Sequence, residues 1–323
     1  MLFYNITYQI SDTLQYAWEL VDTLDINYWK WVLWVVYPII ISFLLPLFIL
    51  LFLYGSALFL NVYNYRHRLR EAYGRDFWDG ARKTLAALWD GQARIWHGYE
   101  IVGFDNIPRE GPALLIYYHG TIPIDFYYVI AKTLLDKNRH IRAVGDRFLF
   151  HIPGWRLMME VMRVTPGTVQ SCVNVLREGH LLGISPGGVR EALFGDEHYQ
   201  LMWGRRDGFA KVALQANVPV IPLFTQNVRE AFRTPMLGKN LLLKLYEKTR
   251  LPISLIYGFF PVKMRTFVGD PIYPDQGQSV DQFKRRVENA IYLMIRQNQR
   301  LPGNIFMALL DRFIPHKPRT WQS

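Results

Sequence analysis

The longest apolar stretch of the chain runs from Trp31 to Val62 and contains no charged residue. At the rise of an α-helix these residues would measure roughly 48 Å, whereas the hydrocarbon core of a bilayer is about 30 Å thick. The stretch is too long for one upright span and too short for two full spans. Because Pro38 and Pro46 favour a bend, the pattern leaves open a tilted, kinked helix and a re-entrant helical hairpin.

The two flanks of this stretch differ in charge. Acidic residues outnumber Lys30 on the N-terminal side, where residues 9–27 have the spacing of an amphipathic helix capped by Ser11. Since the cytoplasmic flanks of membrane helices are enriched in Lys and Arg, the asymmetry predicts that the large domain faces the cytosol. The basic residues of the C-terminal flank are Arg66, His67, Arg68, Arg70 and Arg75.

Behind the apolar stretch, short β-type runs alternate with helical patterns. Such alternation is typical of a mainly parallel sheet covered by helices, so the sequence predicts an α/β domain that follows an N-terminal membrane-embedded helical segment. The predicted strands are 99–102, 113–117, 141–144, 181–185, 218–224 and 262–268. The predicted helices are 124–136, 155–162, 168–177, 208–216 and 280–300.

Five segments describe the predicted organisation. They are an N-terminal amphipathic segment at 1–30, the membrane-embedded segment at 31–65, an interfacial helix region at 66–98, the α/β domain at 99–314 and a flexible tail at 315–323. The helical pattern of residues 66–98 fits a helix lying on the membrane surface and equally a helix packed on the domain core. No removable signal peptide is predicted.

Composition narrows the choice of partners. The net charge of +10 suits either nucleic acid or a phospholipid surface, and the apolar stretch favours the membrane. No nucleic-acid-binding signature is present, so nucleic acid is not an expected partner. With Cys172 as the single cysteine and eight scattered histidines, neither a disulfide nor a bound metal is expected.

The first candidate for chemistry is the segment Tyr117–Asp125, which reads Tyr-Tyr-His-Gly-Thr-Ile-Pro-Ile-Asp and directly follows a predicted strand. Residues just beyond the end of a parallel strand line the ligand crevice of an α/β sheet. His119 can act there as a general base on a hydroxyl, and Asp125 can accept the other ring N–H. A helix-start role is the structural alternative for Asp125.

The second candidate is the segment Ser185–Glu191, which reads Ser-Pro-Gly-Gly-Val-Arg-Glu after another predicted strand. Paired glycines allow backbone N–H groups to converge on an anion or a developing oxyanion. A strand-to-helix turn that requires a positive φ explains the same glycines without chemistry. The basic residues Arg205, Arg206 and Lys211 are candidates for phosphate contacts or for ordinary surface charge.

These motifs, together with Gly145–Phe148, Ile152–Gly154 and Val218–Pro222, occur in the order seen in glycerolipid acyltransferases. The chain resembles that family, with its diacylglycerol acyltransferase 2 branch, from the apolar stretch to near the C-terminus. The resemblance implies an endoplasmic reticulum enzyme that transfers a fatty acyl group to the hydroxyl of a neutral glycerolipid and contributes to triacylglycerol synthesis. No cofactor is implied, and the acyl donor is acyl-CoA or a membrane lipid. The predicted site comprises the catalytic residues His119 and Asp125 and the substrate-binding residues Gly120, Gly187, Gly188, Arg190 and Glu191.

The sequence departs from the family pattern twice. Five residues separate His119 from Asp125, where the wider superfamily usually has four. Family members that use phosphorylated glycerol acceptors usually carry Glu-Gly-Thr-Arg in the second motif, whereas this chain has Gly-Gly-Val-Arg. The second departure favours a neutral acceptor, monoacylglycerol or diacylglycerol.

Two other functions are compatible with parts of the pattern. Gly183–Gly187 satisfies the Gly-x-Ser-x-Gly motif of serine hydrolases, in which Ser185 would be the nucleophile. A nucleophile elbow requires an N–H on the residue after the serine, and Pro186 has none. A non-enzymatic lipid-binding protein would keep the anchor and the core without needing His119. The sequence does not indicate which oligomeric state the protein has.

Overall fold

The apolar stretch forms one continuous helix. In the computed structural model, which describes residues 28–67, 78–235, 238–249 and 252–314, helix α1 extends over Tyr28–His67 without a break. The hairpin alternative is therefore not the form adopted. Residues Trp29–Tyr63 of α1 are long and apolar enough to cross a membrane. The predicted helix at 9–27, most of the basic flank and the tail at 315–323 lie outside the described residues.

The chain divides into two compact units, Met1–Leu44 and Leu45–Ser323, and the boundary falls inside α1. In the first unit, the large apolar side chains of α1 are exposed. In the second unit, α1 buries a stripe formed by Ile49, Leu53 and Leu60, and the ring of Phe52 meets the ring of Trp89 edge-on at 4.7 Å between centroids. This part of α1 thus belongs to the hydrophobic core of the larger unit.

The larger unit contains a seven-stranded sheet. Its strands are β1 (Glu100–Val102), β2 (Ala113–Tyr117), β3 (Ile141–Gly145), β4 (Val164–Pro166), β5 (Leu181–Ile184), β6 (Val220–Gln226) and β9 (Arg265–Val268), and a separate antiparallel pair is formed by β7 (Phe232–Arg233) and β8 (Tyr257–Gly258). The order of the strands in the sheet is β1-β9-β6-β2-β5-β3-β4. The five strands from β6 to β4 run parallel, and β9 pairs antiparallel with β6 and parallel with β1. The mainly parallel sheet is therefore confirmed.

Helices cover the sheet. The helices after α1 are α2 (Asp79–His97), α3 (Ile124–Lys137), α4 (Arg156–Val161), α5 (Val169–Arg177), α6 (Gly188–Phe194), α7 (Gly208–Ala216), α8 (Val228–Ala231), α9 (Lys239–Thr249), α10 (Val280–Asn298) and α11 (Ile305–Leu310). Helix α2 packs against α3, α5 packs against α7, and α10 lies on β6 and α7. The sequence left open whether the helix before the domain lies on a membrane surface or packs on the domain core. Helix α2 packs on the core, because Leu85, Trp89 and Ala93 are buried there.

Strand β2 lies near the middle of the sheet and is buried on both faces. Leu114 and Ile116 point into one hydrophobic cluster, while Leu115 and Tyr117 point into the other. A strand covered on both sides needs apolar residues at every position, which explains the unbroken apolar run Ala-Leu-Leu-Ile-Tyr. The next residues along the chain emerge from this buried strand at the carboxyl edge of the sheet.

The buried stripe of α1 yields a test of its packing. Leu53 is 6% exposed in the core, whereas Leu51 on the same helix is 66% exposed. Leu53→Ala leaves a cavity and should lower the free energy of unfolding by about 2 to 5 kcal/mol. Leu51→Ala should change it little. Thermal unfolding of the detergent-solubilised protein measures both, and equal effects would contradict the packing of α1 on the larger unit.

Candidate active site

Three segments meet at the carboxyl edge of the sheet, because parallel strands end on the same side. The segment that begins with Tyr118 follows β2, the segment that begins with Ser185 follows β5, and the segment that begins with Asn227 follows β6. Strand β2 lies between β5 and β6, so its continuation is flanked by the other two. The site is built around His119 for this reason.

The ring of His119 has a defined tautomer. Its Nδ1 lies 2.6 Å from the carbonyl oxygen of Gly120. Because a carbonyl can only accept, Nδ1 holds the proton and Nε2 holds the free lone pair. Withdrawal of the ring from water lowers the pKa of His119 to about 4, and the hydrogen bond to Gly120 offsets only part of this effect. The imidazole of His119 is consequently neutral near pH 7.

Asp125 lies in the first turn of α3 and is 3% exposed. Its expected hydrogen bond with His119 is not formed, since the Gly120 carbonyl occupies the Nδ1 proton of the ring. Among the described residues, the Oδ1 atom of Asp125 has no hydrogen-bond partner. Burial raises the pKa of Asp125 to about 6, and a hydrogen bond from Thr225 opposes this rise. The orienting contact on His119 is therefore a neighbouring backbone carbonyl.

A chain of three hydroxyl groups, which no sequence pattern predicts, leads to Asp125. The hydroxyl of Tyr99 donates to Thr266 Oγ1 at 2.7 Å, and Thr266 Oγ1 lies 2.8 Å from Thr225 Oγ1. A hydrogen bond from Thr225 lowers the pKa of Asp125 against the effect of burial, and because Thr225 uses its one proton there, the proton shared between the two threonines belongs to Thr266. The three hydroxyls share one polarity, which favours the ionised form of Asp125.

The glycine-rich segment is held by Arg206. The guanidinium of Arg206 donates to the carbonyl oxygen of Pro186 at 3.0 Å and also to that of Gly187. In a trans peptide the N–H of the next residue points away from the carbonyl, so the N–H groups of Gly187 and Gly188 face away from Arg206. Gly188 has φ +49°, a conformation that glycine adopts without strain.

Two of the three basic residues that sequence reasoning offered for phosphate contacts, Arg206 and Lys211, are used within the chain. Arg206 binds the two carbonyls of the glycine-rich segment, and Lys211 pairs with Asp207 at 2.9 Å. Arg190, predicted to bind substrate, lies 3.6 Å from Glu247 of α9 and has a side chain that is 42% exposed. The contacts of Arg206 and Lys211 therefore give no indication of a phosphate-binding site.

Glu191 joins the two motifs and is fully buried. Its Oε2 accepts from the backbone N–H of His119 at 2.9 Å, and its Oε1 accepts from the backbone N–H of Met202 at 3.0 Å. Burial raises the pKa of Glu191 to about 7, which these N–H groups and Arg229 partly oppose. A Cβ atom on Gly187 would collide with the Glu191 side chain. Gly187 is therefore required to leave room for Glu191.

Sequence reasoning missed Arg229, which is 3% exposed and lies in α8 behind β6. Its Nε donates to the hydroxyl of Tyr118, and one terminal nitrogen donates to the carbonyl oxygens of His119 and Glu191. A signal was available in the sequence, because the charged pair Arg229-Glu230 comes three residues after the end of the buried strand β6, where parallel strands present functional residues.

The serine of the Gly-x-Ser-x-Gly pattern has no catalytic partner in the part of the chain that the structure describes. The Oγ atom of Ser185 is buried and makes no hydrogen bond there. Gly183 has a packing explanation, because a Cβ atom at that position would collide with the ring of Phe126. Over the described ranges, no group of His, Cys, Asp or Glu side chains has the arrangement of a metal site.

Comparison with known proteins gives the class of the enzyme. Residues 99–226 match the Acyltransferase family. A human protein named "DGAT1/2-independent enzyme synthesizing storage lipids" is 50% identical over 92% of this chain and 91% of its own length. A chicken protein of the same name is 46% identical over 89% and 87% of the two chains. The crystal structure of the 1-acyl-sn-glycerophosphate acyltransferase PlsC from Thermotoga maritima aligns with a TM-score of 0.48 and 16% identity, over 74% of this chain and 96% of that chain.

The match covers the strands and motifs from which the site is built, and the chain spans nearly the whole length of these relatives. The protein is an acyl-transferring enzyme. It belongs to the Acyltransferase family, in the group that contains these vertebrate relatives.

Gly120 provides a test of the packing around His119. A Cβ atom on Gly120 would collide with the side chain of Val228, and the backbone of Gly120 does not require glycine. Gly120→Ala should therefore lower both stability and activity through overpacking, at a cost of about 1 to 3 kcal/mol. Adding Val228→Ala should recover part of both, because it removes the colliding methyl groups.

The control is Gly91→Ala, since a Cβ atom at Gly91 meets nothing within 4 Å. Thermal unfolding and acyl transfer by the purified variants measure the effects. Additive losses in the Gly120/Val228 double variant would contradict the proximity of these two residues.

Asp125 yields a prediction about pH. Its folded pKa of about 6 exceeds its ordinary value of 3.8, so between these pH values the folded protein binds more protons than the unfolded chain. The contribution of Asp125 to stability is therefore present at low pH and is lost as the pH rises from about 4 to about 6. Asp125→Asn does not titrate and should gain up to about 3 kcal/mol relative to wild type over this interval.

Unfolding of wild type and Asp125→Asn at several pH values measures this difference. A difference in unfolding free energy that stays constant from pH 4 to pH 7 would show that Asp125 has an ordinary pKa in the folded protein.

Proposed function

We propose that this enzyme transfers a fatty acyl group to the hydroxyl of a neutral glycerolipid, monoacylglycerol or diacylglycerol, and so contributes to triacylglycerol synthesis. The acyl donor is acyl-CoA or a membrane lipid. The names of the vertebrate relatives, which refer to synthesis of storage lipids, support this proposal. So does the resemblance of the motifs to the diacylglycerol acyltransferase 2 branch.

The observation that carries the proposal is the free lone pair on Nε2 of His119. The Gly120 carbonyl fixes the proton on Nδ1, and the lowered pKa keeps the ring neutral. In the proposed reaction, Nε2 takes the proton of the acceptor hydroxyl while its oxygen attacks the acyl carbonyl carbon. The tetrahedral intermediate then expels the donor's thiolate or alkoxide, which takes the proton back from the ring.

In this proposal the glycine-rich segment stabilises the oxyanion of that intermediate. The N–H groups of Gly187 and Gly188 face away from Arg206, on one side of the segment. Fixed backbone donors of this kind stabilise developing negative charge without reorganisation. The assignment of Gly120, Gly187 and Gly188 to substrate binding remains part of the proposal.

A neutral acceptor fits the use of the basic residues near the site. Arg206 and Lys211 are bound to groups of this chain, and Arg190 pairs with Glu247. A phosphorylated acceptor would need such side chains for its own charge. This distribution supports an acceptor whose recognition depends on its hydroxyl and acyl groups.

We further propose that α1 anchors the enzyme in the endoplasmic reticulum membrane as a single span, with the larger unit facing the cytosol. The length and apolarity of Trp29–Tyr63 support a span. The basic flank after α1 supports this orientation. An anchored enzyme would meet its lipid acceptor in the same leaflet to which it is attached.

Two variants test whether His119 acts as the base or Ser185 acts as a nucleophile. His119→Ala removes the base and should lower the rate of acyl transfer by about 10² to 10⁴. Ser185→Ala removes only a hydroxyl that makes no hydrogen bond among the described residues, so most of the activity should remain. The measurement is transfer of labelled acyl groups to diacylglycerol by purified protein in detergent, with acyl-CoA or phospholipid as donor.

Both variants must elute as folded protein in size-exclusion chromatography. An active His119→Ala beside an inactive Ser185→Ala would replace acyl transfer through His119 with a serine hydrolase mechanism.

A further inference from the structure

The peptide groups on both sides of His119 are held by charged side chains from two other segments. The N–H of His119 donates to Oε2 of Glu191 at 2.9 Å, and its carbonyl oxygen accepts from Arg229 at 3.3 Å. Neither group belongs to the sheet, because β2 ends at Tyr117. The position of the His119 backbone therefore depends on α6, which supplies Glu191, and on α8, which supplies Arg229.

Arg229 also ties these segments to each other. Its guanidinium donates to the hydroxyl of Tyr118 and to the carbonyl oxygens of Glu191 and Ala192, the latter at 3.5 Å. Glu191 and Arg229 are 0% and 3% exposed, so neither side chain presents its charged group to solvent. Two buried charges are costly unless hydrogen bonds satisfy them, and here each contact goes to a neighbour of the site.

We propose that Glu191 and Arg229 are positioning residues that clamp the His119 peptide and so aim its Nε2 atom at the acceptor hydroxyl. This inference rests on the proposed role of His119 as the base. It gives Glu191 a different role from the substrate contact that the sequence suggests, because both carboxylate oxygens accept from backbone N–H groups. The clamp joins the segments after β2, β5 and β6 through side-chain contacts.

The clamp is tested at position 191 itself, because Gly187 leaves no room for a carboxylate supplied from the other side. A Cβ atom on Gly187 would collide with Cβ of Glu191 as well as with its Cδ and Oε2, and Glu191→Ala retains that Cβ atom. Leucine has nearly the volume of glutamate and no polar side-chain atom, so Glu191→Leu separates the packing of the side chain from its hydrogen bonds.

Three variants form the experiment. Glu191→Ala alone removes the acceptor for the His119 N–H and should lower kcat by about 10²-fold at little changed KM, as expected when the base is displaced. Glu191→Gln keeps the size of the side chain and one accepting oxygen, so it leaves one of the two backbone N–H groups without an acceptor and should lower kcat less than Glu191→Ala does. Glu191→Leu is the matched control, which fills the space without an acceptor and should lower kcat as far as Glu191→Ala does, even where it recovers stability.

Arg229→Lys is a fourth variant. Lysine retains the positive charge but lacks the planar guanidinium, whose separate N–H groups donate to several carbonyls at once. This variant should also lower kcat more than it changes KM. All variants are compared by kcat and KM for labelled acyl transfer and by thermal unfolding in detergent.

Two results would overturn the clamp. One is an unchanged kcat in folded Glu191→Ala, and the other is recovery of kcat by Glu191→Leu, which would assign Glu191 to packing alone. His119→Ala measured in parallel separates the two proposals. If His119→Ala is active, the base assignment fails, whereas an inactive His119→Ala beside a fully active Glu191→Ala refutes only the clamp.

Discussion

Peptide groups beyond the end of a buried strand have lost their ladder partners and still require hydrogen bonds. Strand β2 is covered on both faces, so the chain that continues from it stays inside the protein for several residues. Charged side chains satisfy these groups: Glu191 accepts from the His119 N–H, Arg229 donates to its carbonyl, and Arg206 donates to the carbonyls of the glycine-rich segment. The need for these partners couples the sheet edge to the geometry of the site.

Sequence patterns predicted six of the seven strands of the central sheet because each of the six is an apolar run bounded by turn residues, and Ala113–Tyr117 was predicted to the residue. The pattern missed β4, β7 and β8, which have two or three residues and therefore no measurable periodicity, and it also missed the helices α6, α8, α9 and α11. Spacing also suggested a pairing of His119 with Asp125. The Nδ1 proton of His119 is instead accepted by the backbone carbonyl of Gly120, one residue away, and no rule about sequence spacing predicts such a contact.

The uncharged stretch is longer than a single upright span, and α1 divides it into two parts with different surroundings. Its residues up to Leu44 expose large apolar side chains on all sides, a pattern that suits lipid and not water. From Leu45 onward, one stripe of the same helix is buried in the core of the larger unit. The apolar length can be read from the sequence but this division cannot, since lipid-facing and core-facing residues are equally apolar.

Burial shifts three ionisable groups of the site toward their neutral forms. It lowers the pKa of His119 to about 4 and raises the pKa values of Asp125 and Glu191 to about 6 and about 7. The shifts of Asp125 and Glu191 cost folding free energy at neutral pH, because the unfolded chain titrates with ordinary values, whereas the shift of His119 costs folding free energy only below its ordinary pKa of 6.5. In the proposed reaction a neutral imidazole meets an uncharged hydroxyl, and a site withdrawn from water lets fixed backbone dipoles act on the developing oxyanion with little screening.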